Sequence, residues 1–134
     1  MKSIYIDASY YKARVTGLSR YSDELIDELI KQMPKEKLIL FYFKDQKIGD
    51  SVPNKMIRIN LSVSVFTYLT LFIPFISRII LKYYFKKPGI IHYHDSIRFV
   101  GAIKNYKSFV TIHDIASLIY PKSYPWRARY LKRK

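Results

Sequence analysis

Leu38 to Phe43 reads Leu-Ile-Leu-Phe-Tyr-Phe, six apolar or aromatic residues in succession. A run of strand length without polar alternation suits a strand buried on both faces, as in a parallel sheet covered by helices. Neighbouring segments agree. Lys2 to Asp7 reads as a short strand rich in Ile and Tyr, Met56 to Leu61 as a weaker one, and Ile90 to Tyr93 and Phe109 to Ile112 as two more. Leu18, Tyr21, Leu25, Ile26, Leu29, Ile30 and Met33 recur at intervals of three and four, with Asp23, Glu24, Asp27 and Glu28 on the other face. That spacing predicts an amphipathic helix, stopped by Pro34, whose acids precede Lys31 as the helix dipole prefers.

A second helix is predicted from about Val65 to Phe85, bent near Thr70 because Pro74 removes a helical N–H, and terminated near Gly89. Phe99 to Lys107 reads as helix or loop, and Pro125 to Lys134 as helical. Strands and helices therefore alternate, which places the chain in the α/β class: a single Rossmann-like domain with a mostly parallel sheet and helices on both faces. Its 134 residues suffice for one core and are too few for two.

Composition narrows the chemistry. With 49% hydrophobic residues, 16% aromatics, 4 Gly and 6 Pro, the chain is neither disordered nor collagen-like. It has no cysteine, so disulfides, thiolate zinc sites and a Cys nucleophile are excluded. The net charge is +14 and unevenly placed: residues 1–67 carry eleven bases and eight acids, residues 68–134 thirteen bases and two acids. The second half is the electrostatic face and calls for an anionic partner, whether nucleic acid, acidic lipid or a phosphorylated substrate.

No secretory signal is visible, since Asp7 interrupts the N-terminus before an apolar stretch develops. Leu61 to Ser77 is free of charge for seventeen residues, the short edge of a spanning length. Thr67, Thr70, Pro74, Arg78, Lys82 and Lys86 recur through this region at helical spacing. They form a narrow polar stripe opposite a broad apolar face, the pattern of a helix packed on a sheet or lying in a membrane interface. A single span at 61–77 is the alternative.

Ligands of open α/β sheets bind beyond the carboxyl ends of the strands, and three places put functional residue types there. Thr16-Gly17 precedes the first helix, where glycine permits close approach and the helix N-terminus offers free N–H groups to a phosphate. An ordinary strand-to-helix turn explains the same residues. The dinucleotide fingerprint and the Walker loop are both missing. His92-Tyr93-His94-Asp95 ends the fourth strand and Thr111-Ile112-His113-Asp114 the fifth. His92 and His94, two apart, share a face and are able to contact a sugar hydroxyl or phosphate oxygen, or else serve as bonded core residues. His113 reads as functional. The spacing matches no established metal-ligand pattern, and no metal is expected.

Ile6-Asp7-Ala8, Thr16-Gly17-Leu18-Ser19-Arg20-Tyr21, the apolar strand, the Pro-containing helix leading to Pro88-Gly89-Ile90-Ile91-His92, and Thr111-Ile112-His113-Asp114 with Tyr120-Pro121 occur in this order. Together they resemble the N-terminal domain of GT-B glycosyltransferases of the family 4 type. The resemblance covers nearly the whole chain, residues 1–134, and implies the acceptor-side half of an enzyme with two Rossmann-like domains. Such an enzyme moves a sugar from a nucleotide-sugar co-substrate, with retention, to a surface-glycan or polyprenyl-linked acceptor, with no other cofactor.

By position, the resemblance sets Thr16 and Gly17 against the donor diphosphate and His113 beside the transferred sugar. Asp114 then orients that histidine or lines the acceptor cleft. Arg20 becomes a contact to an anionic acceptor, although it also reads as a solvated helix charge, and His92 and His94 are expected substrate contacts from their place at the strand end. The family's donor-binding C-terminal domain has no counterpart in this sequence, so the chain is expected to be inactive by itself, a truncated product or one piece of a split enzyme. The resemblance also implies a cytoplasmic location at the inner face of the cell membrane. Lys82, Lys86, Lys87 and Arg127, Arg129, Lys132, Arg133 and Lys134 are then expected to hold an anionic membrane surface.

A basic nucleic-acid-binding module is the rival reading, drawing on a pI near 9.9 and thirteen tyrosines. Against it, periodicity assigns most aromatics to the core, and no nucleic-acid motif is present.

Overall fold

The computed structural model describes residues 2–13, 16–46, 48 and 54–113. Among the described residues five strands form one sheet: β1 (Ser3–Asp7), β2 (Leu38–Phe43), β3 (Lys55–Ile59), β4 (Gly89–Tyr93) and β5 (Tyr106–Val110). Their order is β3-β2-β1-β4-β5 and every pairing is parallel. After β1 the chain adds β2 and β3 on one side, then returns to add β4 and β5 on the other. The strand order therefore reverses between β1 and β4, the place where sheets of this kind open a crevice. This is a Rossmann-like α/β architecture.

Period-two alternation divides the core between the two faces. Ile6, Leu38 and Leu40 pack with Ile26, Leu29 and Ile30 of α1 (Gly17–Gln32). Tyr5, Phe41, Phe43, Ile91 and Tyr93 face the other way, toward Phe66 and Leu81 of α2 (Val63–Phe72) and α3 (Pro74–Tyr84). Tyr5 stacks on Phe85 with ring centroids 4.2 Å apart, and its hydroxyl donates to the Lys87 carbonyl at 2.8 Å. β2 spans the residues its apolar run predicts and is buried nearly throughout, because sheet neighbours and helices cover both its faces.

Three expectations are corrected. The helix over 65–85 is two helices, since Ile73 sits at φ −137°, ψ 62° and Pro74 begins α3. A residue before proline is driven out of the helical region, and proline is well placed in a first turn. Residues 99–107 form neither a helix nor simply a loop: a 3-10 turn (Ser96–Arg98) leads to Asn105 at φ 74°, and β5 already begins at Tyr106. Tyr106 is drawn into the sheet by its packing on the core and by its hydroxyl, which donates to the Phe85 carbonyl at 2.7 Å.

The third correction concerns the polar stripe, part of which points inward. Thr70 and Ser77 are buried, and the Thr70 hydroxyl donates to the Phe66 carbonyl at 2.9 Å and lies 3.1 Å from Ser77 Oγ. Arg78 Nε donates to the Val100 carbonyl at 2.7 Å. Lys82 and Lys86 point outward as expected. The break at Ile73 also leaves helices of 10 and 11 residues, and no described helix is long and apolar enough to cross a membrane. The segment 125–134, expected to be helical, lies outside the described residues.

Gly89 is required by close approach. A Cβ there would lie 2.1 Å from the Ser3 carbonyl oxygen, inside the central β1–β4 pairing. Gly89→Ala is expected to lower stability by about 1–3 kcal/mol through overpacking, measured by urea denaturation. An unchanged midpoint would show that the strand pair gives way freely.

Candidate functional site

The site is assembled at the carboxyl ends of β1, β4 and β5. Thr16 caps α1: its side-chain oxygen accepts from the Ser19 N–H at 3.1 Å, and Ser19 Oγ accepts from the Thr16 N–H at 2.8 Å. This reciprocal cap occupies the Thr16 hydroxyl and leaves the N–H groups of Gly17 and Leu18, which a helix cannot satisfy internally. A Cβ added at Gly17 would meet nothing within 4 Å. Glycine here serves no internal packing need and keeps the first turn open. Arg20, on the same turn, is exposed.

One turn further, Tyr21 reaches the ends of the other strands. Its hydroxyl lies 3.1 Å from Thr111 Oγ1, which in turn lies 2.9 Å from His92 Nε2. The Tyr21 ring stands edge-on to His113 at 4.7 Å and to His94 at 5.7 Å. The start of α1 and the end of β5 therefore share one rim. His92 and His94 lie on the α1 side of β4 with ring centroids 5.0 Å apart, as their spacing requires. Burial lowers the pKa of His92 and pushes that of His94 down to about 4, with the Asp7 carboxylate opposing in both cases. His113 is exposed at the mouth, and Asp114 lies outside the described residues.

Beneath this rim sits a pair the sequence did not single out. Asp7 is fully buried at the end of β1, and Arg98 Nε donates to its Oδ2 at 3.1 Å. Asp7 Oδ1 accepts from the Ser9 N–H at 2.9 Å and from the Ser9 hydroxyl. The Arg98 guanidinium also lies 4.6 Å from the Tyr10 ring centre. Burial, the largest single influence, opposes the Arg98 charge, but Asp7, Tyr10 and Asp95 together outweigh it and hold the guanidinium above its ordinary pKa. The only sequence signal was an acid closing an apolar strand, and nothing local marked Arg98, 91 residues away, as its partner. Tyr21 was read as a core position of the first helix, so its polar end was missed.

Arg98 Nη2 and both ring nitrogens of His94 are buried with no hydrogen-bond partner among the described residues. Buried polar atoms are rarely left so, and these give the crevice floor unused capacity to donate and accept. Among the described residues no group of three or more His, Cys, Asp or Glu is arranged to hold a metal ion. The arrangement is suited to holding an oxygen-rich molecule, with backbone donors at one end, an exposed imidazole at the other and the Nη2 of the Asp7-paired Arg98 below.

Against this geometry, comparisons with family models, curated proteins and solved structures find no match for the chain.

Two outcomes follow from the buried charges. Folding keeps His94 neutral to about pH 4, whereas an unfolded chain takes up its proton near 6.5, so protonation favours unfolding. Relative to His94→Phe, the protein is expected to lose on the order of 3 kcal/mol of stability as pH falls from 6.5 toward 4. Parallel pH profiles would show that another group titrates. Arg98→Leu leaves Asp7 buried without a counter-charge and is expected to cost about 3–5 kcal/mol in urea denaturation. Adding Asp7→Asn should recover part of that loss.

Proposed function

We propose that this chain is the acceptor-side domain of a retaining GT-B-type glycosyltransferase and that its rim holds the sugar and diphosphate of a nucleotide-sugar. The reading rests on one observation: Tyr21 ties the open first turn of α1 to His113 at the end of β5, at the reversal of strand order. The resemblance in motif order supports it, and so does the fold. A diphosphate approaches the Gly17 and Leu18 N–H groups, where the helix dipole favours negative charge. His113 hydrogen-bonds a hydroxyl of the transferred sugar. Tyr21, Thr111 and His92 position that end of the sheet from behind and do not touch the reacting atoms. Electrostatic stabilisation of the departing diphosphate is the larger catalytic requirement, and a facing donor-binding domain supplies most of it.

Tyr5, Phe41, Phe43, Phe66, Phe85 and Tyr93 are buried and unavailable for stacking on bases, whereas Tyr68, Phe72, Phe75 and Tyr83 are exposed.

Titration of the isotope-labelled chain with UDP-glucose and GDP-mannose tests the proposal. Amide signals of Thr16 to Arg20 and the His113 imidazole are expected to shift together with at least one of them. Shifts confined to other surfaces, or none, would overturn it. Gly17→Ala separates a ligand role from a structural one. Its methyl group has room, so stability is expected to hold or rise by up to about 1 kcal/mol. Nucleotide-sugar binding is expected to weaken by about tenfold or more, a loss of roughly 1.4 kcal/mol.

A further inference from the structure

We infer that the outward face of α2 and α3 seats a second copy of this chain, packed across a two-fold axis so that α3 runs antiparallel to its counterpart. Tyr68, Phe72, Phe75, Ile76, Ile79 and Tyr83 are uncovered there, with Phe75 at 67% and Tyr83 at 69% exposure. Phe66, Thr70, Ser77 and Leu81 fill the sheet side of the same helices and leave the first set no room on it. Single exposed apolar side chains are ordinary, but these form one surface. The Tyr68 and Phe72 rings lie 4.6 Å apart, and residues 75, 76, 79 and 83 recur at helical spacing along α3. Its size fits a subunit contact. With about 200 Å² for a whole aromatic side chain, the exposed fractions of these six leave roughly 600 Å² uncovered on each copy. The largest apolar patch of an ordinary monomer is about 300–600 Å², and a stable interface buries about 800 Å² per partner, apolar centre and polar rim together. The patch therefore supplies most of what a dimer needs, and in the aromatic side chains that interface centres favour.

The charge around this face selects the arrangement. Lys82 and Lys86 are exposed toward its C-terminal end, with Lys86 Nζ 4.7 Å from the Tyr83 ring centre. Between Asp50 and Asp95 the chain contains no Asp or Glu to offset them. Parallel pairing of α3 with its counterpart would therefore set lysine against lysine. An antiparallel pair with its axis at Phe75 avoids this, because Lys82 lies seven residues from Phe75. That is about 10 Å along a helix, which puts the two copies of Lys82 about 20 Å apart. Charges are screened over about 8 Å at physiological ionic strength, so these ends do not oppose association. Two-fold symmetry then brings the same aromatic patch together from both copies. No residue of α2 is charged, so an anionic bilayer or a nucleic acid would be gripped at one end of the patch only, whereas a second copy covers its aromatic centre. The α1 helix packs on the other face of the sheet, so the first turn at Thr16 and Gly17 stays open in the pair whatever it binds.

Sedimentation velocity and light scattering of the full chain, followed from low micromolar to submillimolar concentration, are expected to show reversible growth from the chain mass to twice that mass and no further. Phe75→Ser combined with Ile79→Ser is expected to weaken the pair about hundredfold or more, with the circular dichroism spectrum unchanged. The absence of cysteine lets a cross-link be placed at a chosen position. A short bis-maleimide is expected to join copies carrying Ile76→Cys, beside the axis, and to leave unjoined those carrying Lys86→Cys, at the outer ends. The cross-links decide independently of how the serine variant folds. Four results would each overturn the proposal: a single-chain mass at every concentration, growth beyond the dimer, full association by the folded double variant, or joining at position 86 in preference to 76. A chain that stays monomeric yet co-sediments with phosphatidylglycerol vesicles, or shifts an oligonucleotide, would likewise overturn it and give the face to that occupant.

Discussion

Asp7 occupies the end of the central strand with no solvent exposure, and a carboxylate there is tolerable only because Arg98 arrives to meet it. The pair joins the first strand to the turn after the fourth, on either side of the point where strand order reverses. It also sets the electrostatics of the crevice: Asp7 opposes the loss of protons from His92 and His94, while burial drives both toward the neutral state. Backbone and hydroxyl donors from Ser9 complete the carboxylate's bonding, so the charge is held by geometry on both oxygens. An anion or a sugar approaching from above therefore meets neutral imidazoles over a fixed, compensated ion pair.

Local pattern was enough for much of the scaffold. The run from Leu38 to Phe43 has nowhere to go but the middle of a parallel sheet, and α1 follows from its period and its stop at Pro34. The division of the long apolar segment was not legible in the same way. Hydrophobic periodicity assumes one continuous helix, whereas Pro74 forces Ile73 out of helical geometry and resets the phase. Thr70, Ser77 and Arg78 turn inward, where their polar atoms find partners in the neighbouring turn and the loop at Val100. The aromatic and aliphatic residues that periodicity expects inside are left facing out.

The site divides along similar lines. Spacing alone put His92 and His94 on one face of a strand, and strand-end position marked Thr16-Gly17 and His113 as facing the crevice. Tyr21 was hidden because its helical position satisfies the core pattern, and only its hydroxyl contact with Thr111, ninety residues on, shows that its polar end belongs to the rim. Gly17 illustrates the reverse case. A glycine in sequence is equally a packing device or an opening, and the free space around it decides for the opening.

What the chain encodes locally is therefore the class of fold, the two-sided burial of β2, the capped start of α1 and the types of side chain at strand ends. These depend on interactions within a few residues. Which of those side chains meet, which cation answers Asp7, and which face of α2 and α3 remains uncovered were decided by the folded molecule. Each depends on the order in which distant strands pair, and no short-range pattern carries that information.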